Sequence, residues 1–277
     1  MIERFVDKVV IVTGASSGIG AETARQFAAE GARVVLVARR NEMLDDVARS
    51  IGSDQASVVQ ADVTDPAAVA ALLERAEERF GAIHVLVNNA GAHARGWFED
   101  RSVQEVANMV DVNLRAPVVL CRTALPYLRK AGRAAIVNVG STGGLLPVAG
   151  AATYNATKAG LRIFSLALAE ELRGAGVTVS VVLPGPVATD FFLGQIEKVP
   201  PMVFCQPMSS PQAVARLVLD CAYDGRVERV IPKGGALIPT LGYVFPRFRR
   251  MMAPLFARMG ARKKQRYLRS VATQRIA

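Results

Sequence analysis

Three side chains near the middle of the chain have the types and the spacing needed for proton transfer. Tyr154 and Lys158 are four residues apart in a segment of helical pattern, so they share one face of the predicted helix. An ammonium group beside a phenol stabilises the phenolate and lowers a pKa that is otherwise about 10, too high for a base at neutral pH. Ser141 adds a hydroxyl group directly after a predicted strand. The YxxxK spacing alone is weak evidence, because tyrosine and lysine often share a solvated helix face.

A glycine-rich run close to the N-terminus predicts a turn that binds phosphate. The run lies between a predicted strand at 9–12 and a predicted helix at 18–30, and it reads Thr13-Gly14-Ala15-Ser16-Ser17-Gly18-Ile19-Gly20. In such a turn the backbone N–H groups and the positive end of the helix point at a pyrophosphate. Three residues separate the first two glycines, so the run matches the GxGxxG fingerprint only in part. The alternative is a glycine-rich turn that binds nothing.

The end of the second predicted strand bears on the choice of dinucleotide. An NAD-selective site usually offers a carboxylate there to the ribose 2′-hydroxyl. This chain has Ala38 at that position, followed by Arg39, whose guanidinium can pair with a 2′-phosphate through two hydrogen bonds. We therefore predict NADP(H) rather than NAD(H). The alternative is a solvated arginine pair at the start of a helix.

Alternating apolar runs and helical patterns predict the fold. The predicted strands are 9–12, 33–37, 57–60, 85–87, 135–139, 178–183 and 227–231, and the predicted helices are 18–30, 41–51, 66–80, 103–130, 152–174 and 211–224. Such alternation indicates an α/β fold, a doubly wound parallel sheet with helices on both faces, as in Rossmann-like proteins. We expect one dinucleotide-binding catalytic domain over residues 1–236 and a basic amphipathic extension over residues 237–277.

Composition excludes several classes of protein. The cysteines are odd in number and widely spaced, at Cys121, Cys205 and Cys221, so neither a disulfide framework nor a zinc site is indicated. His84 and His93 have no carboxylate or cysteine at ligand spacing and are interpreted as non-catalytic, and no metal is expected. The N-terminus lacks the pattern of a secretion signal, and the long uncharged stretches are broken by glycine and proline. A cytoplasmic protein without a transmembrane helix is expected.

These motifs together resemble the short-chain dehydrogenase/reductase family in its short, single-domain form. The matching pieces occur in the family's order over residues 5–235, and they are Thr13 to Gly20, Asp62-Val63, Asn88-Asn89-Ala90-Gly91, Asn113, Ser141, Tyr154 with Lys158, and Pro184-Gly185 through Thr189. Each piece is modest, but the set is specific. The glycine spacing argues against the family's long, epimerase-like branch.

The resemblance implies an NADP(H)-dependent oxidoreductase with four catalytic residues. Tyr154 would be the acid/base, Ser141 would hydrogen-bond the substrate oxygen, Lys158 would bind the nicotinamide ribose and tune Tyr154, and Asn113 would anchor a proton-relay water. The cofactor-binding residues expected from the motifs and the resemblance are Gly14, Ser16, Ser17, Gly18, Ile19, Gly20, Arg39, Asp62, Val63, Asn89, Ala90, Gly91, Tyr154, Lys158, Pro184, Val187 and Thr189.

The segment at 190–204 lies where this family usually places its mobile lid, and it is rich in apolar side chains. It predicts a lipophilic ketone, aldehyde or alcohol as the substrate. The same side chains are equally typical of packing against the core or a subunit interface. The alternative functions are a 3-oxoacyl reductase and, from another class, a non-catalytic NADP(H)-sensing or scaffold protein. A homo-oligomer, either a dimer or a tetramer, is expected.

The net charge of +10 comes wholly from the C-terminal extension, since residues 237–277 contain ten basic and no acidic side chains. Apolar residues recur there at near-helical spacing, with Pro254 interrupting the pattern; they are Phe245, Phe248, Met252, Leu255, Phe256 and Met259. Over 245–269 this segment predicts peripheral contact with an anionic membrane, or a subunit interface or clamp over the substrate mouth; the remaining alternative is a loose solvated tail. No nucleic acid is expected, because no recognised binding motif is present.

Overall fold

Seven parallel strands form the centre of the molecule. The computed structural model describes residues 3–274, without the side chains of 238 and 270–274, so residues 1, 2 and 275–277 of the predicted domain and extension lie outside it. The strands are β1 (Val9–Thr13), β2 (Arg33–Ala38), β3 (Ala56–Gln60), β4 (Val85–Asn88), β5 (Ala134–Val139), β6 (Val177–Pro184) and β7 (Glu228–Ile231). They lie in the order β3-β2-β1-β4-β5-β6-β7. The order reverses between β1 and β4, which is where such sheets bind ligands, at the carboxyl ends of the strands.

Helices cover both faces of this sheet. They are α1 (Gly18–Ala29), α2 (Asn41–Ile51), α3 (Pro66–Phe80), α4 (Val103–Val110), α5 (Ala116–Lys130), α6 (Ala152–Glu171), α7 (Asp190–Leu193), α8 (Pro211–Asp224), α9 (Leu237–Val244) and α10 (Pro246–Gln274). One buried core joins the sheet to α1, α2 and α8, and a second joins it to α3, α5 and α6. Because both faces are covered, the central strands are mostly apolar rather than alternating.

The doubly wound fold predicted from the sequence is confirmed, and each predicted strand matches to within one residue at either end. The helix starts follow the local capping chemistry. Asp65 accepts a hydrogen bond from the Ala67 N–H at 2.9 Å, and Ser210 accepts one from the Ala213 N–H at 3.2 Å. The predicted helix at 103–130 differs, because a π-helical turn at Asp111–Arg115 separates α4 from α5.

The C-terminal extension is helical and packs on the segment between α7 and α8. The expected interruption at Pro254 is wrong, since α10 continues through it. A proline removes one hydrogen bond from a helix, and the contacts that follow Pro254 hold the helix together. The Lys264 ammonium donates to the carbonyls of Glu197 at 2.8 Å and Val199 at 3.0 Å. No helix in residues 3–274 is long and apolar enough to cross a membrane.

Candidate active site

A cavity of about 910 Å³ opens at the carboxyl ends of the strands. Its walls are the turn between β1 and α1, the ends of β2, β4, β5 and β6, the start of α6, and the segment at 190–206. All of the predicted catalytic and cofactor-binding residues line it except Gly20 and Asn113. The fold therefore brings the glycine-rich run and the proton-transfer residues to one place.

The turn between β1 and α1 has the backbone shape of a phosphate cradle. Gly14 has a φ of 66°, in the left-handed region that favours glycine. Gly20 lies behind the turn, and a Cβ there would overlap the Gly14 carbonyl oxygen, so its part is close packing. The Asn89 side chain donates to the carbonyls of Thr13 at 3.0 Å and Gly14 at 3.2 Å. The loop after β4 thus fixes the turn that would hold the pyrophosphate.

Ser141, Tyr154 and Lys158 meet on the opposite wall of the cavity. Ser141 begins a short 3-10 turn, where its hydroxyl accepts a hydrogen bond from the Gly143 N–H at 3.0 Å. The same hydroxyl forms a hydrogen bond with Tyr154. Lys158 is buried, its ammonium donates to the Val139 carbonyl at 2.9 Å, and burial lowers its pKa to about 8. Ser141, which contacts Tyr154, and the Val139 carbonyl, which contacts Lys158, therefore both come from the end of β5 or the residues just after it.

The environment of Tyr154 differs from the one expected. Burial raises the pKa of Tyr154, and the groups that oppose this increase are Ser141, through its hydrogen bond, and the positive charge of Arg95. The sequence led us to expect Lys158 in that role. In this structure its ammonium is directed at the Val139 carbonyl instead.

Asn113 lies behind the cavity, in the π-helical turn between α4 and α5. It is fully buried, and its Oδ1 accepts a hydrogen bond from the Ala92 N–H at 2.8 Å. Its Nδ2 donates to the Ala92 carbonyl at 2.8 Å and to the Thr157 hydroxyl at 3.2 Å. Asn113 therefore fastens the loop after β4 to α6, and its Oδ1 can accept one further hydrogen bond. Single π turns are frequent at functional sites.

At the other end of the cavity two exposed arginines flank the expected adenosine position. Arg39 and Arg40 both line the cavity, and Arg40 donates to the Ser16 hydroxyl at 3.4 Å. Burial raises the pKa of Asp62, but two hydrogen bonds from Thr64 and the charge of Arg39 outweigh it and hold that pKa below its usual value. The sequence pointed to Arg39, whereas the contact of Arg40 with the glycine-rich turn is visible only in the structure.

Two further residues lie in the cavity that the sequence did not indicate. His93 stacks on the Tyr154 ring, with ring centroids 4.0 Å apart, and burial together with the charges of Arg95 and Lys158 lowers its pKa to about 3. Arg95 is 7% exposed, and its guanidinium lies over the Phe192 ring. Both come from the loop after β4, whose contacts no local periodicity predicts. The sequence predicted only that His93 is non-catalytic, and it did not indicate this position in the cavity.

In the apolar segment at 190–206, some side chains line the cavity and others pack in a small core. Phe191, Phe192, Met202 and Val203 line the cavity, as a lid over an apolar substrate requires. Phe192, Val199 and Phe204 form a small core below it. Phe204 also contacts the Tyr267 ring of α10 at 6.4 Å between centroids. Part of the segment therefore lines the cavity and part packs against α10, while the lipophilic substrate remains a prediction.

In the part of the chain that the structure describes, no three histidine, cysteine or carboxylate side chains lie together at a distance suited to a metal ion. The three cysteines are free thiols, and Cys121 and Cys221 are buried.

A phosphate-binding turn facing a serine, tyrosine and lysine cluster, at the switch point of a parallel sheet, defines a dinucleotide-dependent oxidoreductase. The chain belongs to the short-chain dehydrogenase family, whose model, described as short chain dehydrogenase, matches residues 8–198. Members of this family use a nicotinamide cofactor and act on alcohols or ketones, so the coarse reaction class is established.

Relatives with curated names agree with this assignment. The chain is 39% identical over 212 residues to the 2,5-dichloro-2,5-cyclohexadiene-1,4-diol dehydrogenase LinX of Sphingobium indicum, covering 76% of this chain and 83% of that protein. It is 38% identical over 186 residues to an uncharacterized oxidoreductase of Staphylococcus saprophyticus, covering 66% and 76%. A solved structure, the 3-ketoacyl-(acyl-carrier-protein) reductase from Brucella melitensis complexed with NADH, superposes with a TM-score of 0.77 at 31% identity, covering 84% of this chain and 99% of that one.

Proposed function

We propose that the protein is an NADP(H)-dependent oxidoreductase that interconverts an apolar carbonyl compound and its alcohol. The observation that carries the proposal is the convergence of Ser141, Tyr154 and Lys158 with the glycine-rich turn in one cavity. A binding protein without turnover has no need of a tyrosine hydrogen-bonded to a serine at that place. The fold alone would not distinguish an oxidoreductase from a cofactor-binding protein without turnover.

The chain's own residues supply the proton and the electrostatics. When bound, the nicotinamide supplies or accepts the hydride. In the direction of reduction the Tyr154 hydroxyl gives its proton to the substrate oxygen, and the Ser141 hydroxyl donates a hydrogen bond to that oxygen as negative charge grows on it. Lys158 would bind the nicotinamide ribose and Asn113 would hold a water that returns a proton to the site. Neither a metal ion nor a covalent intermediate is needed for this chemistry.

The preference for NADP(H) rests on Arg39, supported by Arg40. Both guanidiniums border the cavity, Arg40 contacts Ser16 of the phosphate turn, and Ala38 provides no carboxylate to repel a 2′-phosphate. As the family resemblance implies, Asp62 would border the adenine; its carboxylate accepts a hydrogen bond from the Thr64 hydroxyl, and the charge of Arg39 helps to lower its pKa. The related Brucella melitensis structure contains NADH, so relatives do not decide the preference.

An apolar substrate is supported by Phe191, Phe192, Met202 and Val203, which line the same cavity as Tyr154. The test is NADPH oxidation, with NADH in parallel, over a series of ketones and aldehydes of increasing hydrophobicity, with Tyr154→Phe as the blank. Turnover that prefers NADPH and rises with apolar size supports the proposal. Best activity on small sugars would contradict the substrate class, and tight NADPH binding without turnover would favour a sensing or scaffold protein.

A 3-oxoacyl reductase is the second candidate, and the likeness to the Brucella melitensis reductase is the observation that favours it. Its substrates carry a long thioester arm that must leave the cavity, and here α9 and α10 lie beside the lid. The same assay distinguishes the candidates when a 3-oxoacyl thioester is compared with a simple ketone of equal chain length.

A second part of the proposal concerns the outer face of α10. Phe248, Met251, Leu255 and Met259 are exposed at intervals of three and four residues, so they form one apolar stripe. Residues that contact the lid, such as Gly260 and Lys264, lie on a neighbouring face. Because the surrounding side chains are basic and none is acidic in residues 237–277, we assign the stripe to peripheral contact with an anionic membrane surface in the cytoplasm.

A homo-oligomer is also part of the proposal. Val103 on α4 and Ile163 on α6 are 87% and 60% exposed, and large apolar side chains of this kind are typical of subunit interfaces. Light scattering in solution distinguishes a dimer or tetramer from a monomer.

A further inference from the structure

Arg95 places a fixed positive charge in the substrate half of the cavity. It lies on the loop after β4, is 7% exposed, and lines the cavity beside Tyr154 and the lid. Its Cζ is 5.4 Å from the centroid of the Phe192 ring. A guanidinium stays charged in proteins, so an otherwise apolar lid closes over a cation.

Arg95 has no carboxylate partner in the described part of the chain. Within residues 3–274 the ion pairs closer than 4.0 Å do not include Arg95, and its Nε is buried without a hydrogen-bond partner. Arg4 shows the usual arrangement, because its comparably buried guanidinium binds the carboxylates of Glu30 at 2.6 Å and Asp220 at 2.8 Å. Buried charges in proteins are normally paired in this way. Arg95 therefore has donor capacity that the folded chain leaves unused.

His93 provides a second unused nitrogen in the same place. Its Nε2 is buried and has no hydrogen-bond partner in the described part of the chain. With a pKa of about 3 the imidazole is neutral at physiological pH, and a neutral imidazole offers one N–H donor and one acceptor. Since its ring stacks on Tyr154, a group that contacts both His93 and Arg95 lies close to the reacting carbonyl.

We infer that Arg95, with His93 beside it, binds a carboxylate of the substrate while the lid encloses the apolar body. A guanidinium fork matches the two oxygens of a carboxylate, which makes this pairing strong and directional. The substrate class is then an amphipathic oxo acid or hydroxy acid rather than a neutral lipophilic ketone. This inference rests on the proposed oxidoreductase function of the same cavity.

The experiment compares acids with their neutral esters. The probes are 2-, 4- and 6-oxooctanoate and the methyl ester of each, which vary the distance between the carbonyl and the charge. kcat/KM is measured for the wild type, Arg95→Gln, Arg95→Lys and the control Arg101→Gln. Arg101 is a second arginine of the same region that is paired with Glu105 and lies outside the cavity lining.

For at least one carbonyl position we expect the wild type to prefer the acid over its ester by about tenfold or more, the range of a hydrogen-bonded charge pair. Arg95→Gln should remove this preference, because kcat/KM should fall about tenfold more on the acid than on the ester; any change on the ester reports the loss of the Arg95 charge near Tyr154. Arg95→Lys should keep part of it, because lysine retains the charge without the fork. Arg101→Gln should behave as the wild type.

A binding measurement separates this inference from the proposed function. Octanoate should raise the Tm of the NADP⁺-saturated wild type, octanamide should not, and Arg95→Gln should abolish the difference. Equal losses on acid and ester in Arg95→Gln would make Arg95 a brace for Phe192 and overturn the inference. Turnover of esters without preference for acids would also overturn it but leave the oxidoreductase intact. Stabilisation by octanoate through Arg95 without turnover of any ketone would instead reject the proposed function.

Discussion

The imidazole of His93 lies flat against the phenol ring of Tyr154, with centroids 4.0 Å apart and ring planes 6° apart. Because burial keeps this imidazole neutral, the contact orients the phenol without placing a charge beside its hydroxyl. Ser141 then fixes the hydroxyl end of the same side chain. Tyr154, the proposed proton-transfer group, is thus held both at its ring face and at its oxygen.

Tyr154→Phe should abolish turnover and leave NADPH binding unchanged. The substitution removes the one hydroxyl positioned to exchange a proton with the substrate oxygen but retains the stacked ring. Steady-state rates and NADPH fluorescence titration measure the two properties. A residual rate above about a hundredth of the wild-type value would contradict the acid/base role, since general acid catalysis contributes at least about that factor. Tyr127→Phe, on α5 and outside the cavity, is the matched control.

Arg39→Ala should lower kcat/KM with NADPH by about tenfold or more and change the value with NADH little. The guanidinium can pair with the 2′-phosphate that only NADPH carries, and such charge-assisted hydrogen bonds are strong. Arg40→Ala tests whether the neighbour shares the task. The exposed Arg49 of α2, substituted by alanine, is the control. An unchanged ratio of NADPH to NADH efficiencies in both Arg39→Ala and Arg40→Ala would contradict the predicted preference.

Lys158 gives the cofactor-free protein a recognisable pH dependence. Its folded pKa of about 8 lies below the ordinary value for lysine, so between about 8 and 10.5 the unfolded chain binds more protons than the folded one. The contribution of Lys158 to the free energy of unfolding therefore rises with pH from about 8 to 10.5. Below pH 8 the protein bears the full cost of burying the charged ammonium. Relative to Lys158→Met, the wild type should gain free energy of unfolding from pH 8 to pH 10, as measured by urea denaturation. If the free energies of unfolding of the wild type and Lys158→Met changed equally with pH, this prediction would be contradicted. Lys233→Met, at an exposed lysine, is the control.

Gly260→Ala should destabilise the protein and raise KM for the carbonyl substrate. Alanine favours a helix over glycine by up to about 1 kcal/mol, so an isolated helix would gain. Here the new Cβ would overlap the Pro201 carbonyl, and α10 would have to move off the lid. Thermal unfolding and substrate titration measure the two effects. Gln265→Ala, exposed on the same helix, should change neither. A higher Tm in Gly260→Ala would show that the contact is not tight.

Replacing Phe248 and Met251 together with serine should release the protein from anionic vesicles. The two side chains are 48% and 69% exposed in the apolar stripe, and neither contacts the cavity. Sedimentation with phosphatidylserine vesicles at low and high salt measures the binding, which should also weaken with salt. Turnover on a water-soluble ketone should be retained. Failure of the wild type to sediment where a peripheral control protein does would remove the membrane assignment.

The strands and the main helices could be predicted from the sequence because local pattern decides them. Runs such as 9–12 and 85–87 are apolar throughout, as is typical of strands covered on both faces, and Asp65 and Ser210 mark helix starts by their own capping chemistry. The cavity position of Ser141, Tyr154 and Lys158 likewise follows from short motifs beside strand ends.

What local pattern cannot show is contact between distant segments. His93 and Arg95 lie in a loop without periodicity, and their place beside Tyr154 and Phe192 results from the packing of the loop after β4 against α6 and the lid. Pro254 indicates a break in an isolated helix, whereas Lys264 and Gly260 hold α10 against Pro201 and its neighbours. The ammonium of Lys158 turns to Val139 for a similar reason, because only the folded chain offers it that carbonyl.

The attachment of α10 to the lid limits how the cavity can open. With 29 residues the helix is about 43 Å long, and a helix of that kind moves as a stiff rod. Gly260 presses on Pro201, Lys264 holds the carbonyls of Glu197 and Val199, and the Cys205 thiol donates to the Phe256 carbonyl at 3.0 Å. We therefore expect any widening of the cavity on this side to move α10 together with residues 190–206, so that opening of the cavity and tilting of the C-terminal helix are one movement.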